Sequence, residues 1–91
     1  MKNYILDFVK SYLDNISPLN ETNKEKLLDY NYLDSGHIDS FGIIHFILDL
    51  EQEFDISFSP EETESEEFRT IRGIINIINA KKESWNILMK I

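Results

Sequence analysis

The chain is expected to fold as an all-α bundle of three main helices plus one short helix. Apolar residues recur at helical spacing in three separate stretches, and proline, glycine and helix-capping residues fall between them. One isoleucine-rich stretch also suits β structure, but nothing else in the chain offers it a partner strand. Ninety-one residues make one small domain with a limited core and marginal stability.

Tyr4, Ile5, Phe8, Val9, Tyr12, Leu13 and Ile16 recur at i, i+1, i+4 and i+5, which is one face of a first helix. Ser17-Pro18-Leu19-Asn20 stops it, because the residue before a proline is pushed out of the helical region. Lys24 to Asp29 is expected to add a short helical turn that contributes Leu27 and Leu28. Tyr30 to Asp39 holds turn formers and Gly36, and reads as a loop packed down by Tyr32, Leu33 and Ile38. Ser40 is expected to start the second helix. Its expected buried face is Phe41, Ile44, Ile47, Leu48, Leu50 and Phe54, with Ile43 and Phe46 at the flanks. Asp55 and Ser57 mark its end.

Ser59-Pro60-Glu61-Glu62 is a further start signal, with proline at a first helical position and carboxylates in the first turn. The polar segment that follows reads as a short helix anchored by Phe68. Thr70 is placed to cap a final helix whose Ile71, Ile74, Ile75, Ile77 and Ile78 face inward. Trp85, Leu88, Met89 and Ile91 continue an approximate helical spacing, so that helix is expected to run on one or two turns and fray, with Trp85 touching the bundle.

Net charge is −8, and its distribution is uneven. Between Lys26 and Arg69 there is no lysine or arginine, while twelve carboxylates fall there, among them Asp39, Asp49, Glu66 and Glu67. Such a sector repels nucleic acid and anionic lipid and steers basic proteins toward itself. The same charge also serves solubility. Without cysteine, neither a disulfide framework nor a thiolate metal site can form. No stretch approaches the roughly 20 apolar residues of a membrane span, and the N-terminus alternates charged and apolar residues and lacks the continuous apolar run of a signal peptide. The expectation is a cytoplasmic monomer.

The residues that carry chemistry are Asp39-Ser40-Phe41-Gly42, where a loop enters a helix. A serine there is exposed, and the free N–H groups and positive dipole end of the helix favour a phosphate beside it. Ser40 is not in a Gly-x-Ser-x-Gly elbow, since Ile38 and Gly42 flank it. Asp29, Asn31 and Asp34 do not make a calcium loop, because the sixth position would be Asp34 and the twelfth Ser40. His37 and His45 lack a metal-site spacing and read as ordinary loop and surface residues.

Three blocks resemble the acyl carrier protein family in order and spacing. They are Leu33-Asp34-Ser35-Gly36-His37-Ile38-Asp39-Ser40-Phe41, Leu50-Glu51-Gln52-Glu53-Phe54-Asp55-Ile56 and Glu67-Phe68-Arg69-Thr70-Ile71. They are most similar to small stand-alone carriers, including those that carry D-alanine for cell-wall polymers. The resemblance covers roughly Tyr4 to Asn79 and implies a carrier domain over residues 1–80, with 81–91 a helix end or flexible tail.

It further implies that 4′-phosphopantetheine from coenzyme A is attached to Ser40 by a phosphopantetheinyl transferase, with Asp39 in support. The carrier is then no enzyme. It holds acyl or aminoacyl thioesters between a loading ligase and a downstream synthase or transferase, in a fatty-acid, polyketide or specialised pathway. Phe41, Ile44, Asp49, Glu66 and Glu67 are the expected partner-binding residues. A D-alanyl carrier, or an acidic module that binds partners without cargo, are the alternatives. Fatty-acid carriers usually place acids on the outer face in the two turns after the serine; here Gly42 and His45 stand there, which favours a specialised pathway.

Overall fold

The computed structural model describes the backbone of residues 2–90 and the side chains of residues 4–83. Helix α1 spans Lys2–Ile16, α2 Lys24–Leu28, α3 Gly42–Phe54, α4 Pro60–Thr63 and α5 Ile71–Lys90, with a 3₁₀ turn over Glu66–Arg69 before α5. Among the described residues the only β pairing is an isolated bridge between Asn31 and Thr70. The long helices α1, α3 and α5 are the three main ones of an all-α, acyl-carrier-like bundle. Short helical segments fill both long connections.

Local chemistry accounts for the helix ends. Asn23 accepts the Lys26 amide at 3.1 Å and starts α2. Ser59 and Glu62 form a reciprocal capping box at α4, with proline in its first turn. Thr70 Oγ1 accepts the Gly73 amide at 3.0 Å, which places the cap of α5 where the sequence puts it. At the end of α3, Asp55 adopts a left-handed conformation with φ 54°. The Ile56 amide then returns to the Glu51 carbonyl at 3.1 Å.

The core joins Ile5, Val9 and Leu13 of α1, Phe46, Leu50 and Phe54 of α3, and Ile71, Ile74, Ile75, Ile77 and Ile78 of α5. Leu27, Tyr32, Ile38 and Phe68 close it from the connections. Tyr4 and Ile16, expected on the inner face of α1, are exposed at its ends.

The inner face of α3 differs from the expected one. Phe46, Leu50 and Phe54 are buried, while Ile43 and Ile47 are half-buried against them. Phe41, Ile44 and Leu48 are exposed. This helix has more apolar residues than one face can hold, so periodicity alone leaves its rotation open. Ring contacts decide it. Phe46 meets Tyr12 and Tyr32 with centroids 4.9 and 5.5 Å apart, and Phe54 meets Phe8 and Tyr4 at 5.5 and 5.6 Å.

Helix α5 runs unbroken to Lys90, about three turns past Asn79 and longer than expected. The Trp85 side chain lies outside the described residues. Near the middle of α5, Lys82 donates to the Phe54 carbonyl at 2.9 Å, placing a cation at the negative end of α3.

The connection Tyr30–Asp39 is docked against the start of α5. Tyr32 donates its amide to the Arg69 carbonyl at 3.1 Å, and Ile71 donates to the Tyr30 carbonyl at 3.3 Å. The buried Tyr32 hydroxyl donates to the Phe68 carbonyl, and Arg69 pairs with Asp34. Arg72 pairs with Glu25 at 2.7 Å and Asp29 at 3.0 Å, which neutralises the acidic sector locally around α2.

Candidate functional site at the start of α3

Asp39 is the side chain that begins α3. Its Oδ1 accepts the Phe41 amide at 3.1 Å and the Gly42 amide at 2.6 Å, and its carbonyl accepts the Ile43 amide at 3.0 Å. These are the bonds of a helix N-cap, so Ser40 and Phe41 belong to the first turn rather than to the loop. Gly42 makes room for them. A Cβ there would lie 3.2 Å from Asp39 Oδ1 and 3.3 Å from Ile38 Cγ2.

Ser40 follows the cap and is exposed. Its hydroxyl makes no hydrogen bond among the described residues. The serine therefore caps nothing, which corrects the possibility that its hydroxyl also starts the helix. A free hydroxyl at the positive end of a long helix offers an accessible nucleophile to an external enzyme and a favourable field for a phosphate bound to it. Beside it, Asp39 Oδ1 is occupied by two amides, and the nearest histidine in sequence, His37, is engaged elsewhere.

The loop reaches Ser40 under restraint. Ile38 is buried and donates its amide to the Tyr32 carbonyl at 3.2 Å. His37 was expected to be an ordinary loop residue, yet it is half-buried. Its Nε2 lies 2.8 Å from the Leu13 carbonyl and its Nδ1 2.8 Å from the Tyr30 hydroxyl. His45 is exposed on α3.

Phe41 is 81% exposed, Ile44 57% and Leu48 55%. At i, i+3 and i+7 they form one apolar stripe that runs from beside Ser40 down the outer side of α3. Leu48 was not among the candidate residues. The signal for it was the excess of apolar positions on one helix. Asp49 is exposed farther along α3, near the Tyr12 hydroxyl. Burial, followed by the influence of the Asp49 carboxylate, pushes the Tyr12 hydroxyl up to about 12. Glu66 and Glu67 are exposed on the 3₁₀ turn, an element separate from Ser40 and α3. Among the described residues no group of histidines and carboxylates is arranged to hold a metal ion, and no helix is long and apolar enough to cross a membrane.

The chain is similar to a D-alanyl carrier protein of Lactococcus lactis subsp. lactis (strain IL1403). The two are 31% identical over 83 residues, which span 91% of this chain and 98% of the relative. No sequence-family profile matches the chain, and no solved structure matches it.

Proposed function

The chain belongs to the acyl carrier protein family, among its small stand-alone carriers, and from that premise we propose that Ser40 carries a covalent 4′-phosphopantetheine. The observation that carries this reading is the exposed, unbonded Ser40 hydroxyl in the first turn of α3, directly after the Asp39 cap. The residues present fit the group. The serine oxygen is free to form a phosphate ester, the helix end favours the negative charge, and no carboxylate but Asp39 adjoins it in sequence.

Formation of the ester needs a transferase and coenzyme A. The Ser40 oxygen forms a bond to phosphorus, the pyrophosphate bond of coenzyme A breaks, adenosine bisphosphate leaves, and the hydroxyl proton passes to the transferase. When bound, the group supplies a terminal thiol that holds cargo as a thioester, so a chain without cysteine loses nothing. Asp39 caps α3 through Oδ1. Its Oδ2 has no hydrogen bond among the described residues and serves a metal ion or basic group of the transferase.

The favoured cargo is D-alanine, on the strength of the relative's name and its near-complete coverage. A fatty-acyl or polyketide role is the broader alternative. A ligase loads the thiol and an acyltransferase unloads it, with the tether raising effective concentration at both steps. Phe41, Ile44 and Leu48 form the apolar part of the docking surface; Asp49, Glu66 and Glu67 supply acidic steering. The working place is the cytoplasm, as a monomer.

The test is intact mass after incubation with coenzyme A and a promiscuous phosphopantetheinyl transferase. A gain of one phosphopantetheine, lost in Ser40→Ala, supports the carrier; folded protein without gain supports a non-covalent acidic module. The mass of the thioester recovered from cells then identifies the cargo.

A further inference from the structure

We propose that His37 is a positioning residue for the modification of Ser40, latching the loop that delivers the serine onto the end of α1. The inference rests on the carrier reading of Ser40. Its own evidence is a chain of hydrogen bonds that crosses the fold three residues before the serine.

A carbonyl oxygen only accepts, so the contact of 2.8 Å with Leu13 O places the His37 proton on Nε2. Nδ1 then accepts from the Tyr30 hydroxyl at 2.8 Å, and that hydroxyl accepts in turn from Ser35 Oγ at 3.1 Å. One tautomer satisfies every partner. The Tyr30 and His37 rings also meet edge to face, with centroids 5.5 Å apart.

The latch has a position that nothing else fills. At its base the loop is tied toward α5, through Tyr30, Tyr32 and the Arg69–Asp34 pair. Among the described hydrogen bonds, the one between His37 and Leu13 alone joins this loop to α1. Between the two ties lie Ser35 and Gly36, both exposed and held by short-range bonds. Leu13 sits in the last turn of α1, where its carbonyl accepts the Ser17 amide at 3.0 Å and takes a second bond from His37 on its other lone pair.

A transferase reading Ser40 meets both the loop and the first turn of α3, because the serine lies where they join. If the loop holds the right shape for only part of the time, apparent affinity falls by that fraction. Once docked, the enzyme's own contacts restore the shape. Loss of the latch therefore raises KM for the carrier and leaves kcat alone; partial global unfolding would raise KM in the same way, so exchange confined to the loop is what distinguishes the latch.

The test uses the full chain without cofactor, coenzyme A and a promiscuous phosphopantetheinyl transferase, with loading rates followed by intact mass across carrier concentrations. His37→Phe keeps ring volume and removes both bonds; His37→Gln keeps a donor for Leu13; Tyr30→Phe removes one hydroxyl. The expected result for His37→Phe is a KM raised about tenfold with kcat within about twofold, as the loss of two modest hydrogen bonds implies. His37→Gln recovers most of the loss, and Tyr30→Phe lies between. Amide exchange of the unmodified protein gives a second readout: residues 35–40 exchange faster in His37→Phe, while Phe46 and Ile74 do not.

A wild-type KM in His37→Phe, or a fall in kcat alone, overturns the proposal. If His37→Phe does not fold by circular dichroism, Tyr30→Phe decides, and unchanged KM and exchange there overturn it. If the wild type is never loaded, the carrier reading of Ser40 fails; exchange then still decides whether the latch exists.

Discussion

Replacing Gly73 with alanine sets helix propensity against packing. In a helix interior alanine is favoured over glycine by about 1 kcal/mol, so propensity alone makes this variant more stable. The structure reverses the sign. Gly73 is buried in the first turn of α5, and a Cβ there would lie 1.6 Å from the Glu67 carbonyl oxygen and 2.5 Å from its carbon. Both are main-chain atoms, so no rotamer change relieves the overlap, and the 3₁₀ turn must move away from α5. Overpacking of this kind costs about 1–3 kcal/mol, and forced backbone movement places this case at the upper end. After the propensity gain, the net loss is about 2 kcal/mol, or a Tm fall of about 8–16 °C for a domain of this size. Thermal and urea unfolding followed by circular dichroism measure it. Gly42→Ala is the milder comparison. Its Cβ would lie 3.2 Å from Asp39 Oδ1 and 3.3 Å from Ile38 Cγ2, side-chain atoms that need give only slightly. The propensity gain offsets the crowding, and the net change should stay under about 1 kcal/mol. A Gly73→Ala protein as stable as the wild type would refute the packing argument.

Ser40→Ala should keep wild-type unfolding within about 0.5 kcal/mol, because the hydroxyl bonds to nothing, while loading read by intact mass is abolished. Ile44→Ala removes an exposed side chain and should leave stability nearly unchanged while speeding dissociation from a partner enzyme in stopped-flow binding. Phe46→Ala, two residues on, should lower unfolding free energy by about 3–5 kcal/mol, since that ring is fully buried between Tyr12 and Tyr32. Partial burial pushes the Glu62 carboxyl up, but bonds from Lys81 and the Ser59 amide outweigh it and hold the carboxyl below its ordinary value of 4.5. A depressed carboxylate contributes stability above its unfolded pKa and loses it as pH falls through the folded one. Acid unfolding below about pH 4.5 should therefore begin at lower pH in wild type than when the Lys81 partner is removed by Lys81→Met.

Much of this protein was readable from local chemistry. The Ser59–Glu62 box, the Thr70 cap and the inward isoleucines of α5 are set by residues within a few positions of one another, and each appears where the sequence puts it. The helix start at Asp39-Ser40 was also legible as a local pattern, although the cap is the Asp39 carboxylate and not the Ser40 hydroxyl. Similarity to a known carrier agrees with the pattern that named the family.

Three other features depended on which surfaces meet across the fold. Helix α3 is apolar on more than one side, so its rotation was decided by the rings of Tyr4, Phe8, Tyr12 and Tyr32, which come from other segments. That choice turned Phe41, Ile44 and Leu48 outward and made a stripe of residues that periodicity had assigned to the core. Gly73 carries no local mark of its role, which comes from the Glu67 main chain packed against it. His37 had no readable role because its partners, Leu13 and Tyr30, stand 24 and 7 residues away. Capping and periodicity act within a turn or two and leave their mark in sequence. Contacts between segments are settled only when the chain closes on itself.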